Sequence, residues 1–374
     1  MPGSDRTSGL LTQLAFEFRK IPQQSKNKLQ RTVYLGSNRT DLIVSDFWDK
    51  GWSCGYRNCQ MLMSFLEKTN EMDESVIKHV ISISGLQSLL ERAWKEGLFL
   101  FPFPFLCYMR GTSPAPPTFC VKITQENFWT RKLGFDSVGA LQLQRRVYKT
   151  RKWIGTTEVY TLLVYLGIKC TILDFDAPKA AGPATTGLLA ERLFDCVQSY
   201  FEASVVVNRP SSSNSDDGND NSVKSRENNV FTRMMVSSAR AGKHVHMTDR
   251  PPMYLQHAGH SRTIVGIEIF DDGIRNLIVF DPGRRTQRGK SSPIQENKHG
   301  NESDQRPAAI ASLQSYRVDT KAIERNSQYQ LLVLGEASQR PSGAIQWPST
   351  DSNHFLLTEW ERDIMKQVTS IRVI

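Results

Sequence analysis

Apolar positions along the chain follow two rhythms, one helical and one of strands. Cys59, Leu62, Met63 and Leu66 recur at i, i+3, i+4 and i+7, which predicts an amphipathic helix opening near Cys54. Residues 85–97, bounded by glycines, give a second helix, and Thr156, Thr157 and Glu158 open a third that runs through Tyr160, Leu162 and Leu163. A stripe at Leu11–Phe18 allows one short helix near the start. Strand-like runs stand at Ile168–Phe175, Ala203–Val207 and Tyr329–Leu334. The clearest local signal is Thr263–Ile269, a turn at Asp271-Asp272-Gly273, and Asn276–Phe280. Two β-rich runs around an Asp-Gly connection predict an antiparallel hairpin.

Polar stretches divide the chain. Residues 1–40 carry Arg19, Lys20, Lys26, Lys28 and Arg31 and are expected to be a basic flexible arm. Residues 41–340 read as one α+β domain, and 341–374 as a C-terminal extension. Segments 208–229 and 284–307 hold too few apolar groups to fold and are expected to be disordered insertions. With 39% hydrophobic residues, 18 Phe and 7 Trp, the rest has ample material for a core, which excludes a wholly disordered chain. The longest greasy run, Leu98–Leu106, is interrupted by two prolines and is far shorter than the roughly 20 residues of a membrane helix. No membrane partner is expected. The first residues lack the apolar stretch of a secretory signal, so the expected location is cytoplasmic or nuclear, with the six cysteines reduced. The net charge of +9 suits an acidic partner. Much of the surplus lies in the arm and in Arg284, Arg285, Arg288 and Lys290, no nucleic-acid motif accompanies it, and nucleic-acid binding is not expected.

Candidate chemistry begins at Gly51-Trp-Ser-Cys-Gly-Tyr-Arg-Asn58. Cys54 falls at a helix N-terminus, where unpaired N–H groups and the helix dipole favour thiolate over thiol. It is a candidate nucleophile, its own N–H a candidate oxyanion donor, and Gly55 leaves room for a substrate carbonyl. From position alone a packed cysteine is the favoured reading, as Cys59 in the apolar stripe illustrates. A thiol nucleophile needs a base, and the base an orienting acceptor. His260 lies just before the first hairpin strand and Asp281 just after the second. If position 270 faces 275, Asp281 stands opposite about Ile264, a few residues from His260. His244, His246, His257 and His260 cluster in sequence, yet neither a Cys-x-x-Cys pair nor a His-Glu-x-x-His motif accompanies them, so no metal or other cofactor is expected.

Four motifs in order, Trp52-Ser-Cys-Gly-Tyr-Arg-Asn-Cys-Gln60, Trp153-Ile-Gly-Thr-Thr-Glu158, Leu255-Gln-His-Ala-Gly-His-Ser-Arg-Thr-Ile-Val-Gly-Ile-Glu268 and Leu277-Ile-Val-Phe-Asp-Pro-Gly283, resemble the papain-like cysteine peptidases of the ubiquitin-fold-modifier protease group. The resemblance is strongest to the zinc-finger-containing ubiquitin peptidase (ZUFSP) branch and covers roughly residues 40–337. It implies a papain-like α+β fold, with the nucleophile on a helix N-terminus and an antiparallel sheet carrying histidine and aspartate. By motif, Cys54 would be the nucleophile, His260 the base, Asp281 its orienter and Gln256 the oxyanion-hole side chain. The modifier-specific branch has Asp-Pro-His; here Asp281-Pro-Gly283 stands instead and the histidine comes from upstream, which points to ubiquitin as the substrate. The resemblance also sets Trp153, Glu158, Trp52 and Tyr56 along the channel for the modifier tail, an acid matching the tail's arginines and indoles narrowing the path to glycine. A core indole and a helix-capping acid remain the other readings of Trp153 and Glu158. No Cys/His finger pattern is seen. The expected activity is hydrolysis of the bond after ubiquitin's C-terminal glycine, with ubiquitin or polyubiquitin as partner. A peptidase of another ubiquitin-like modifier, a non-catalytic ubiquitin binder and a nucleic-acid binder are the rivals.

Overall fold

The computed structural model describes residues 6–21, 30–71, 74–96, 134–177, 187–207, 244–284, 313–347 and 355–373. Its helices are α1 (Leu10–Lys20), α2 (Cys54–Glu67), α3 (Ile83–Lys95), α4 (Ser137–Gln142), α5 (Thr156–Tyr165), α6 (Leu188–Val207), α7 (Thr320–Ile323) and α8 (Glu359–Ile364). The main sheet holds β1 (Arg31–Leu35), β2 (Cys170–Asp176), β3 (Val245–Met247), β4 (Met253–His257), β5 (His260–Phe270), β6 (Arg275–Phe280), β7 (Arg317–Asp319), β8 (Gln328–Leu334) and β9 (Ser370–Arg372). Among the described residues these run in the order β7-β6-β5-β4-β8-β2-β9, with β1 also paired to β5 and β3 to β1. The pairings are antiparallel except β9 with β2 and β3 with β1.

Strand alternation sorts the side chains onto two faces. Tyr254, Leu332 and Ile172 enter one core with α2, α3 and α5, while Leu255, Leu331 and Leu173 enter another beneath α6. A third cluster joins α1 to Val33, Leu35, Met61, Ile278 and Phe280. Cys54 stands at the first position of α2, so packing this helix on the sheet brings the thiol to the β4–β5 end.

Three expectations change. The basic arm over residues 1–40 is largely structured: Leu11, Leu14, Ala15 and Phe18 bury one face of α1, and β1 pairs with β5 from Arg31↔Phe270 to Leu35↔Gly266. Arg19 and Lys20 lie on the exposed face of that helix, and Arg31 is buried in β1 with its guanidinium on the Phe18 and Ile21 carbonyls, so charge composition concealed a core element. The C-terminal extension adds β9 alongside β2, and Phe355 joins the first core. Ala203–Val207 is the end of α6 rather than a strand; the 3.6-residue stripe of Leu189, Leu193, Val197, Tyr200 and Phe201 propagates through its β-branched residues. The insertion 208–229 and the run Leu98–Leu106 lie outside the described residues, as does 285–307.

The expected hairpin is β5–β6, with its register moved. Arg275 faces Ile269, and a bulge between Ile278 and Val279 leaves Phe280 facing Thr263, so Asp281 follows at the level of Arg262 instead of Ile264. The extra residue brings the carboxylate closer to His260.

Candidate active site

His260 owes its place to a two-residue turn. His257 pairs with His260 across Ala258-Gly259, and Gly259 takes φ +83°, a left-handed conformation that glycine adopts without strain. One imidazole nitrogen, Nε2, lies 3.1 Å from both Asp281 oxygens. The other, Nδ1, is left for Cys54, with which His260 shares a side-chain hydrogen bond.

Asp281 is 7% exposed and heavily bonded. The Gly283 N–H donates to Oδ1 at 2.9 Å and Arg262 Nε to Oδ2 at 3.0 Å. Burial opposes its charge, but the bond to His260 and the guanidinium of Arg262 hold its acid well below the ordinary carboxylate range. Burial likewise opposes the His260 cation; the bonds to Asp281 and Cys54 outweigh it and raise the imidazole to about 9. Burial would raise the Cys54 thiol too, yet hydrogen bonds from His260 and from the Ser261 side chain and backbone bring it below its usual value. The balance favours a thiolate–imidazolium pair. Cys59 and Cys170 show the opposite case: burial pushes the Cys59 thiol up to about 12, and burial together with the neighbouring Cys59 raises the Cys170 thiol well above its usual value.

Gln256 lies on β4 opposite Ser261. Tyr254 Oη donates to its Oε1 at 2.8 Å, and its Nε2 donates to the His257 carbonyl at 2.7 Å. The phenol thereby orients the amide, leaving the second Nε2 proton as a donor.

The segment before α5 closes one side of the site. A side chain at Gly55 would meet Ile154 O at 2.3 Å, so this glycine serves a backbone-to-backbone approach rather than clearance for substrate. Beyond Ile154, a Cβ on Gly155 would sit 4.0 Å from Gln256 Cδ, and one on Gly259 3.9 Å from Trp153 Cζ3. Trp153, 48% exposed, thus lies over the β4–β5 turn and is not a core indole.

Two channel assignments change. Tyr56 is fully buried, its hydroxyl 3.5 Å from the Lys152 carbonyl, so it belongs to the core; Trp52, half-buried, packs edge-to-face against it. Glu158 fulfils the capping reading: Oε2 accepts the Gly155 N–H at 2.7 Å and Oε1 the Thr157 hydroxyl at 3.1 Å. Burial raises its acid, and a carboxylate so engaged fixes the turn that presents Trp153 rather than projecting into a channel.

Asn58, Ser261 and Arg262 also belong to the site and were not singled out from the sequence. Asn58 carried a signal, a polar side chain one turn beyond Cys54 in a buried helix. Ser261 and Arg262 became legible only once β5 was in register.

A helix-borne thiol facing a sheet-borne histidine and aspartate defines a papain-like cysteine peptidase. The chain belongs to peptidase family C78, whose model matches residues 29–113 and 118–332. It is 33% identical over 282 residues to the zinc finger-containing ubiquitin peptidase 1 of Bos taurus, covering 75% of this chain and 34% of that one. It is 28% identical over 272 residues to the ubiquitin carboxyl-terminal hydrolase mug105 of Schizosaccharomyces pombe, covering 71% of this chain and 75% of that one. The chain therefore spans about a third of the length of the mammalian relatives, with 34% to 35% covered. A crystal structure of UfSP from C. elegans aligns with TM-score 0.36 and 13% identity, over 86% of this chain and 40% of that one.

Proposed function

We propose that this chain is a deubiquitinase that hydrolyses the isopeptide or peptide bond after the C-terminal glycine of ubiquitin. The observation that carries the reading is His260, held by Nε2 3.1 Å from both Asp281 oxygens with its other nitrogen toward the thiol at the head of α2. The ubiquitin-peptidase names of the relatives support the choice of modifier.

The Cys54 thiolate attacks the glycine carbonyl, forming a C–S bond and an oxyanion that the free Gln256 N–H and backbone amides at the α2 N-terminus receive. Collapse expels the amine, which takes its proton from His260. Neutral His260 then accepts a proton from water as the hydroxide attacks the thioester, releasing ubiquitin's carboxylate and the thiolate. Asp281 fixes the imidazole tautomer and supports its charge. Trp153 walls the tail channel, where an indole over Gly259 favours glycine. No cofactor takes part in these steps.

Ubiquitin bearing a C-terminal cysteine-reactive electrophile tests the proposal. The wild type should form a covalent adduct and Cys54→Ala none. Labelling by a ubiquitin-fold-modifier probe in place of ubiquitin would move the substrate to that modifier; no labelling by either, from folded protein, would sink the catalytic reading.

A further inference from the structure

Asn58 joins the nucleophile's helix to the histidine's strand. Its side chain is fully buried; Nδ2 donates to the Cys54 carbonyl at 2.8 Å and to Ser261 Oγ at 3.0 Å, while Oδ1 accepts the Thr263 hydroxyl at 2.7 Å. Ser261 and Thr263, also fully buried, sit on the same face of β5, opposite Gln256 and Tyr254. A hydroxyl carries one proton. Because Asn58 donates to Ser261 Oγ, that proton is free to point elsewhere; the same Asn58 nitrogen bonds the Cys54 carbonyl, which sets the hydroxyl beside the first residue of α2, and Cys54 Sγ and the Tyr254 oxygen are the acceptors whose titration the hydroxyl bears on. Tyr254 already gives its own proton to Gln256. Of the two acceptors the thiolate bears the charge and makes the stronger bond.

We propose that Ser261 is a further catalytic residue, donating its hydroxyl and backbone N–H to the Cys54 thiolate, and that Asn58 positions it. The proposal rests on Cys54 as the nucleophile but not on the identity of the modifier. Two donors on β5 hold the sulfur from the side away from its own helix, so the nucleophile is defined by helix and strand together. A small residue at 261 also keeps the strand close to α2.

The test is the pH dependence of Cys54 alkylation by iodoacetamide on the full chain, read by mass spectrometry, beside thermal unfolding and kcat/KM. For Ser261→Ala the midpoint should rise by roughly one pH unit. Its kcat/KM near neutral pH should fall about tenfold and recover as pH rises toward the His260 limb. Asn58→Ala should shift the midpoint the same way by less, and Ser261→Thr, which keeps the donor, should restore it. A lower melting temperature with an unmoved midpoint in both alanine variants would overturn the proposal, leaving a structural clamp. Should Ser261→Ala not fold, the Asn58→Ala midpoint decides alone. A shifted midpoint in a protein that ignores every ubiquitin reporter would refute the ubiquitin reading and uphold this one.

Discussion

Substituting Gly55 by alanine separates the nucleophile from the channel it serves. A methyl at this position would lie 2.3 Å from Ile154 O and 2.7 Å from Ile154 Cγ1, while carbon–oxygen contacts below 3.0 Å essentially do not occur, so the gap must open by at least 0.7 Å. The two sides do not yield equally. Helix α2 is pinned to β5 by Asn58 and by its buried apolar face, whereas Ile154 sits in a connecting segment before α5. The loop is the side that moves. Overpacking of this kind costs about 1–3 kcal/mol, against which alanine's better helix propensity returns up to about 1 kcal/mol. The melting temperature should therefore fall by only a few degrees. Displacing Trp153 and Gly155 by most of an ångström should lower kcat/KM on a ubiquitin substrate about 100-fold, while iodoacetamide alkylation of Cys54 stays within a few-fold of wild type. Unchanged kcat/KM would show that the approach of Gly55 to Ile154 does not matter. Loss of alkylation in parallel with turnover would show that α2 moves, refuting the assignment of the soft side.

Activity should be bell-shaped in pH, rising as the depressed Cys54 thiol ionises and falling as the His260 imidazolium, raised to about 9, loses its proton. The same pair sets a stability profile. His260 contributes fully below its unfolded value of about 6.5 and loses this as pH rises to about 9; Asp281 contributes fully above about 4 and loses this as pH falls. The melting-temperature gap between wild type and Asp281→Asn should thus be widest at about pH 4–6.5 and narrow by pH 10; a gap that widens with alkali would contradict the ion pair. Away from the site, Arg317 grips the fully buried Glu268 with two bonds of 2.7 Å, so Arg317→Ala should lower unfolding stability in urea by about 3 kcal/mol, and a loss below 1 kcal/mol would mean that Arg31 compensates. Trp153→Ala should weaken cleavage of a ubiquitin reporter chiefly through KM while leaving the alkylation midpoint of Cys54 in place, and unaltered kinetics would remove the indole from the channel.

The chemistry of this chain was legible locally. A cysteine at the head of an amphipathic stripe, a histidine before one hairpin strand and an aspartate after the other follow from residue order and period, and α2, α5 and the β5–β6 hairpin arise where those periods stand. Packing decided the rest. The first 40 residues looked like a charged arm because α1 spends its cations on the outer face, and Ala203–Val207 looked like a strand because a run of valines hides the longer helical stripe that contains it. Partners distant in sequence decided the roles of neutral residues: Gly55 met Ile154 instead of opening space, and Tyr56 became core, whereas Glu158 took the cap that its spacing from Gly155 offered locally. Ser261 and Asn58, separated by 203 positions, became a pair only through the register of β5 on α2. Sequence alone sets which groups the chain can ionise and which segments can repeat a period, since both are properties of near neighbours. Which of those groups meet across the core, and so which strand the nucleophile's helix faces, depends on contacts some 200 residues apart, such as Asn58 with Ser261 and Thr263, that only the folded core brings within hydrogen-bonding distance.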